Sequence, residues 1–178
     1  APELARELTT LLRHLFPELS SWLGEVDDPR TEGVYLFKVL LLQGVLMFLT
    51  HCRSRNHFNE QFLQTGKVAA TMARILDCPI ETVAHMDTLE AVLRKMTDTG
   101  RLDTLPVDMI RRLIRMKALD HWRVGGRFLL AIDGTGLYSF KERHCEHCIE
   151  TRHASGTVTY SHGVLVAFVV STGGYCLP

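Results

Sequence analysis

The chain has 178 residues, enough for one good-sized domain or two small ones. Hydrophobic residues make up 46% and charged residues 22%, a globular balance that excludes a disordered or low-complexity chain. The net charge is zero but unevenly spread: residues 1–110 hold 11 basic and 15 acidic side chains (net −4), and residues 111–178 hold 9 and 5 (net +4), which suits the second part to an anionic partner.

Residues 3–16 place Leu4, Leu8, Leu11, Leu12 and Leu15 at helical spacing, and Pro17 ends the pattern. No basic segment followed by an apolar core, the mark of a secretory signal, opens the chain. After a connector containing Asp27-Asp28-Pro29, residues 32–52 are predicted as a central helix, apolar nearly all round and therefore buried. The most apolar part, residues 34–50, carries Lys38, Gln43 and Gly44 and is short for a bilayer span, so a core helix is expected and no membrane partner. Arg53-Ser54-Arg55-Asn56-His57 is a polar break before a helix through Leu63. With His51 and His57, Arg53 and Arg55 form a secondary basic candidate for nucleic-acid contact. Gly66 separates a helix over 68–76, which Cys78-Pro79 stops. Asp87-Thr88-Leu89-Glu90 has the spacing of a capping box and predicts a helix through Met96, closed by Gly100. A last helix is expected over 106–122, with Pro106 in its first turn.

At Gly125-Gly126 the texture changes. The predicted organisation is therefore α+β: an all-helical region over 1–122, then strands over 123–178 with a Cys/His-containing insertion at about 138–156. Phe128-Leu129-Leu130-Ala131-Ile132 runs into Asp133, and Gly134 and Gly136 follow, which predicts a buried strand ending at Asp133. Two readings of Asp133 stand side by side. It caps a turn by accepting from the Gly134–Gly136 amides, or it is a metal-binding carboxylate of a nuclease-like site. Residues 157–171, rich in Val, Thr, Tyr and Phe, predict a long strand buried on both sides near 164–170. Thr172-Gly173-Gly174 is a turn, and a third strand is expected to start at Tyr175. A sheet of this size leaves an open face and edge, which suggests an N-terminal or truncated portion of a longer protein.

The helix around residues 109–117 has an apolar stripe of Met109, Ile110, Leu113 and Ile114. Arg111, Arg112 and Arg115 lie on its other side, with Lys117, Arg123 and Arg127 beyond. These cations form either a solvated helix face or a set of phosphate contacts. His144-Cys145-Glu146-His147-Cys148 contains a Cys-x-x-Cys pair, whose spacing lets both thiolates reach one zinc ion. His144 and His147, or His153, are the candidates for the remaining ligands. The competing readings are reduced cysteines in a surface insertion and, less suited to the setting, a redox pair. His162 lies in the second strand, either near Asp133 or as an ordinary hydrogen-bonded histidine. Five cysteines, an odd number with only one close pair, do not make a disulfide framework and fit a reducing, cytoplasmic setting. Cys52, Cys78 and Cys176 read as packing residues.

The series Ala131-Ile132-Asp133-Gly134-Thr135-Gly136, Ser139-Phe140, His144-Cys145-x-x-Cys148 and Gly156-Thr157-Val158-Thr159-Tyr160-x-His162 resembles the DDE transposases of bacterial insertion sequences, in the IS4-like group. The resemblance runs from about residue 34 onward and is most specific over 132–162; upstream only the pattern of helices is similar. It implies a ribonuclease-H-like catalytic domain in which two Asp and one Glu hold two Mg²⁺ or Mn²⁺ ions, with Asp133 matching the first catalytic Asp. It further implies DNA as the partner, homo-oligomeric assembly on paired element ends, and DNA cleavage and strand transfer as the activity. Only the first of the three carboxylates is present, so the chain alone is expected to be inactive. The alternative is a non-catalytic, zinc-stabilised nucleic-acid-binding module or the remnant of a decayed element. A helical interaction protein without a DNA role is a third class, disfavoured by the basic helix.

Overall fold

A computed structural model describes residues 2–52, 54–63, 67–96 and 100–177; Arg53 and Gly66, singled out above, lie outside the described residues. The fold is α+β: among the described residues, seven helices are followed by a small antiparallel sheet of four strands. The chain divides into two compact units, Ala1–Leu113 and Ile114–Pro178.

The first unit contains α1 (Pro2–Leu15), α2 (Leu19–Gly24), α3 (Phe37–Leu49), α4 (Arg55–Phe62), α5 (Lys67–Leu76), α6 (Met86–Leu93) and most of α7 (Arg101–Arg115). Its core joins Leu12 and Phe16 to Leu23, Leu40, Leu42, Phe58, Met72, Leu76 and Met86. α3 is buried along most of its length, as its composition predicts, but it is shorter than the expected 32–52. The Arg30 guanidinium explains where it begins. It forms a forked pair with Asp28 (Nε–Oδ1 2.8 Å, Nη2–Oδ2 2.7 Å) and also donates to the Tyr35 carbonyl at 2.7 Å. The Val39 amide accordingly bonds the Leu36 carbonyl, and helical pairing starts only there. Residues 34–36 stay outside the helix, the chain bending at Val34 and Tyr35, with Val34 93% exposed.

α4 begins at Arg55, inside the polar break expected over 53–57, because Ser54 caps it, its Oγ accepting from the His57 amide at 3.2 Å. The capping box at Asp87 does not form. α6 starts at Met86, its N-cap is His85, and the Met86 amide donates to the buried Asn59 side chain of α4 at 3.0 Å. Glu90 turns instead to Arg94 on its own helix and to Arg55 on α4, which also lies 3.2 Å from Asp87. Arg55 is thus neutralised by two carboxylates. Gln43, fully buried in α3, donates to the Ala84 carbonyl at 2.5 Å and ties the central helix to the loop before α6.

α7 also departs from expectation. It starts at Arg101, so Pro106 lies inside it rather than in its first turn, and it stops at Arg115, not at 122. Proline has no N–H to give the Leu102 carbonyl. Arg101 braces the first two turns by pairing with Asp108 and, at 2.9 Å, with Glu25. Lys117 then takes a left-handed conformation (φ 60°) that no helix can continue through, and Asp120–Trp122 form a separate 3₁₀ turn. No helix among the described residues is long and apolar enough to cross a membrane.

In the second unit a tight turn at Gly125-Gly126, both at positive φ, joins Val124 to Arg127 and leads into β1 (Leu129–Phe140). β2 (Ile149–Arg152), β3 (Val158–Val170) and β4 (Cys176–Leu177) complete the sheet. β3 is central: β1 pairs along one edge, while β2 and β4 pair with opposite ends of it. Three expectations are corrected here. β1 does not end at Asp133 but continues through Gly134, Thr135 and Gly136, so those amides form no turn for the carboxylate to cap. Glycine lacks a side chain but can extend like any residue, and here the long partner strand supplies the ladder that overrides its turn preference. β3 is not buried on both sides: Leu165 is 77% exposed, as is 66% of Ile132 opposite the same stretch. β2 is a strand that no alternation announced.

Replacing Arg30 with Ala should destabilise the protein by about 1–3 kcal/mol at neutral pH, since it removes a charge-assisted fork and a bond to Tyr35. The hydrogen bond from Arg30 lowers the Asp28 pKa, so the pair stabilises fully above the ordinary carboxylate range and is lost as pH falls through the folded value. Urea titrations should therefore show the gap between the two proteins narrowing in acid to the share of the Tyr35 bond; an Arg30→Ala deficit that is pH-independent would refute this account.

Candidate metal centre

The β1–β3 register decides which side chains meet. Asp133 faces Val166, and Tyr138 faces His162, with a bulge between Gly136 and Tyr138 that lets Leu137 pass unpaired. Beyond Phe140 the chain leaves the sheet and returns as β2, whose first pair is Ile149 with Ser161. Continuing that antiparallel register by one residue brings Cys148 beside His162. The Cys148 amide donates to the Cys145 carbonyl at 3.3 Å, and this turn carries Cys145 to the same spot.

The result is a three-donor group. The two Sγ atoms are 3.8 Å apart, and His162 Nε2 is 3.3 Å from each. All three donors lie within one another's reach, so the group could hold a metal ion such as zinc. Cys148 and His162 are half-buried and Cys145 is exposed. Arg143 braces the turn by donating to the carbonyls of Cys145 (3.1 Å) and Glu146 (2.9 Å). Burial pushes the Cys148 thiol up, but backbone hydrogen bonds at Cys145 and His144, the Cys145 side chain and the Arg143 charge outweigh it, and the net shift is downward.

Of the residues named from the sequence, the two cysteines join this group, and the histidines named with them do not. His144 packs against Phe140 with the rings tilted at 54° and their centres 4.0 Å apart, and His147 is exposed beside Glu146 (3.5 Å). His153 is bound to Thr159 Oγ1 at 2.9 Å. His162, fourteen residues beyond Cys148, supplies the third donor. The signal was present as a histidine in the strand that must pair with β2, but spacing alone does not give that register.

Asp133 is exposed on β1, and no hydrogen bond or ion pair engages its side chain among the described residues. It is not brought to His162: Val166 lies four residue steps along β3 from His162, about 13 Å of strand. Residues 162, 164 and 166 of β3 do share a face, so Asp133 and the three-donor group lie on the same side of the sheet. Among the described residues the Cys145, Cys148 and His162 group is the one cluster of three or more ligand-type side chains, and it does not include Asp133.

The basic residues separate into two kinds. Arg112 donates to the Leu15 carbonyl (2.9 Å) and pairs with Glu18 (3.3 Å), holding α7 to the end of α1. Arg123 pairs with Asp120 (3.0 Å), donates to the Gly126 carbonyl and lies over the Phe128 ring at 4.2 Å. Arg111 is exposed and only loosely paired, 3.8 Å from Asp108. Arg115, Lys117 and Arg127 are exposed, with no hydrogen-bond or ion-pair partner for their side chains among the described residues.

The chain is thus an α+β protein in which a helical unit precedes an antiparallel sheet bearing a Cys₂His group. It matches no family model, no curated protein and no solved structure.

In metal-free protein, alkylation of Cys148 should be half-maximal at a lower pH than in an unstructured cysteine peptide, because a lowered pKa yields more thiolate at a given pH. Mass-spectrometric pH profiling of the labelled peptide reads this directly; a profile at or above the peptide's contradicts the downward shift.

Proposed function

We propose that this chain forms part of a DDE-type insertion-sequence transposase, with a ribonuclease-H-like sheet built on β1 and β3. The observation that carries the reading is Asp133. It stands on a long strand, its carboxylate is exposed and unengaged, and the far edge of β1 has no strand partner among the described residues. A carboxylate is the ligand hard cations take, and Mg²⁺ or Mn²⁺ would supply the activation of water or a 3′-hydroxyl for attack on a DNA phosphodiester. Asp133 would hold such an ion together with two further carboxylates, which the described residues do not bring to it. DNA phosphates are met by Arg115, Lys117 and Arg127, with Arg111 as a further contact; Arg112 and Arg123 serve the protein's own structure. Assembly as a homo-oligomer on paired DNA ends belongs to the same reading.

A second reading, a zinc-stabilised nucleic-acid-binding module without catalysis, is favoured by the Cys145, Cys148 and His162 group and by the isolation of Asp133. The two separate on activity. The chain itself should not cleave DNA with Mg²⁺ or Mn²⁺. The full product of the encoding gene should nick DNA in a metal-dependent way, and Asp133→Asn should reduce that rate by at least about 10²-fold, a loss of about 3 kcal/mol in transition-state stabilisation. A full product that never cleaves, or one that Asp133→Asn leaves active, returns the chain to the second reading.

DNA binding itself is tested by salt. Neutralising Arg115, Lys117 and Arg127 together should flatten the slope of log affinity against log salt by about 1 for each phosphate that is no longer neutralised. Neutral substitutions there that leave the slope untouched would rule out a role for these cations in holding DNA.

A further inference from the structure

We infer that Cys145, Cys148 and His162 bind a single zinc ion that clasps the 141–148 turn to the centre of β3, whether or not the chain belongs to a transposase. Metal–ligand lengths of about 2.3 Å for sulfur and 2.0–2.1 Å for nitrogen put tetrahedral neighbours about 3.8 Å apart for two sulfurs and about 3.6 Å apart for sulfur and nitrogen. The three observed separations are 3.8, 3.3 and 3.3 Å. The sulfur pair therefore already spans one tetrahedral edge, and the imidazole nitrogen is equidistant from both ends of it. No further His, Cys, Asp or Glu donor joins them among the described residues, and Cys145 faces outward, so the fourth vertex falls to water.

A physical need for the ion lies in what the turn lacks. Residues 141–147 are all exposed, and Ile149, the first residue of β2, is 58% exposed. No apolar burial holds this excursion, and the β2–β3 ladder stops at Ile149 and Ser161. The ion takes over at the next register position, where Cys148 meets His162, and links two segments whose own packing is thin. Binding converts both thiols to thiolates and releases their protons, while His162 enters as neutral imidazole coordinated through Nε2. Arg143, held on the carbonyls of Cys145 and Glu146, keeps the turn shaped for this and offsets the thiolate charge.

The test uses the whole chain, purified without chelator and then titrated with Zn²⁺ alone. One zinc per chain is expected by elemental analysis, and Co²⁺ in its place should show thiolate-to-metal charge transfer with tetrahedral visible bands. Cys145→Ser, Cys148→Ser and His162→Ala should each weaken zinc binding by more than about a hundredfold, beyond the roughly 10–100-fold that an outer-shell change costs. His162→Cys, which keeps a donor at that position, should retain stoichiometric zinc and separates loss of ligation from loss of folding. His144→Ala and His147→Ala should bind as the parent does. Chelation should open Lys141 and Arg143 to trypsin, and zinc should close them again. No stoichiometric zinc in the parent chain, full zinc in His162→Ala, or loss of zinc in His147→Ala would each overturn the clasp.

Discussion

In an antiparallel ladder, a slip of one residue turns every side chain to the opposite face. The pairing of β1 with β3 is therefore the constraint on which the sheet unit depends. With Asp133 opposite Val166, the Asp133 carboxylate shares a face with His162, and Leu130 and Ile132 take the other. The bulge at Leu137 shifts β1 by one position, so that Tyr138, and not Leu137, lies opposite His162. The pairing of Ile149 with Ser161 then sets where β2 begins and delivers Cys148 to the imidazole. Moving the β2–β3 register by one residue disperses the three donors, while the β1–β3 register sets where Asp133 stands relative to them.

The ladder also explains how glycine behaves in this unit. Gly134 and Gly136 are strand residues, and Gly163 sits where an added Cβ would meet the Thr135 carbonyl at 3.3 Å, so the two backbones approach closely there. Gly125, Gly126, Gly156 and Gly174, by contrast, hold positive φ at the turns that separate the paired segments. Identical residues serve opposite purposes because long-range pairing, which a local window does not contain, selects the conformation.

The helical unit is organised differently, by buried polar contacts that fix helix ends. Arg30 sets the start of α3 through the Tyr35 carbonyl, Asn59 and His85 set the start of α6, and Arg112 ties α7 to α1. Each is a guanidinium, amide or imidazole side chain meeting a backbone group left over at a helix or loop terminus, where an unmade hydrogen bond is costly. Charged residues that look free in the sequence are used in this way. The basic count of α7 overstates what it can offer a polyanion, while Arg115, Lys117 and Arg127 remain open.

Local sequence was enough for the kinds of element and their order: helices first, strands after Gly125-Gly126, the burial of α3 and the Cys145/Cys148 pair. These rest on short-range quantities, namely apolar periodicity, capping chemistry and the reach of two thiolates separated by two residues. Long-range packing settled the rest. It carried β1 through two glycines, exposed the middle of β3, moved the start of α6 to His85, placed Pro106 inside α7 and selected His162 over His144, His147 and His153. Each of these turns on a partner distant in the chain. A strand's length depends on the strand beside it, a helix start on the side chain that takes its first free amide, and the make-up of the Cys/His group on register. Local spacing carries no information about such partners, so they become visible only once the chain is folded.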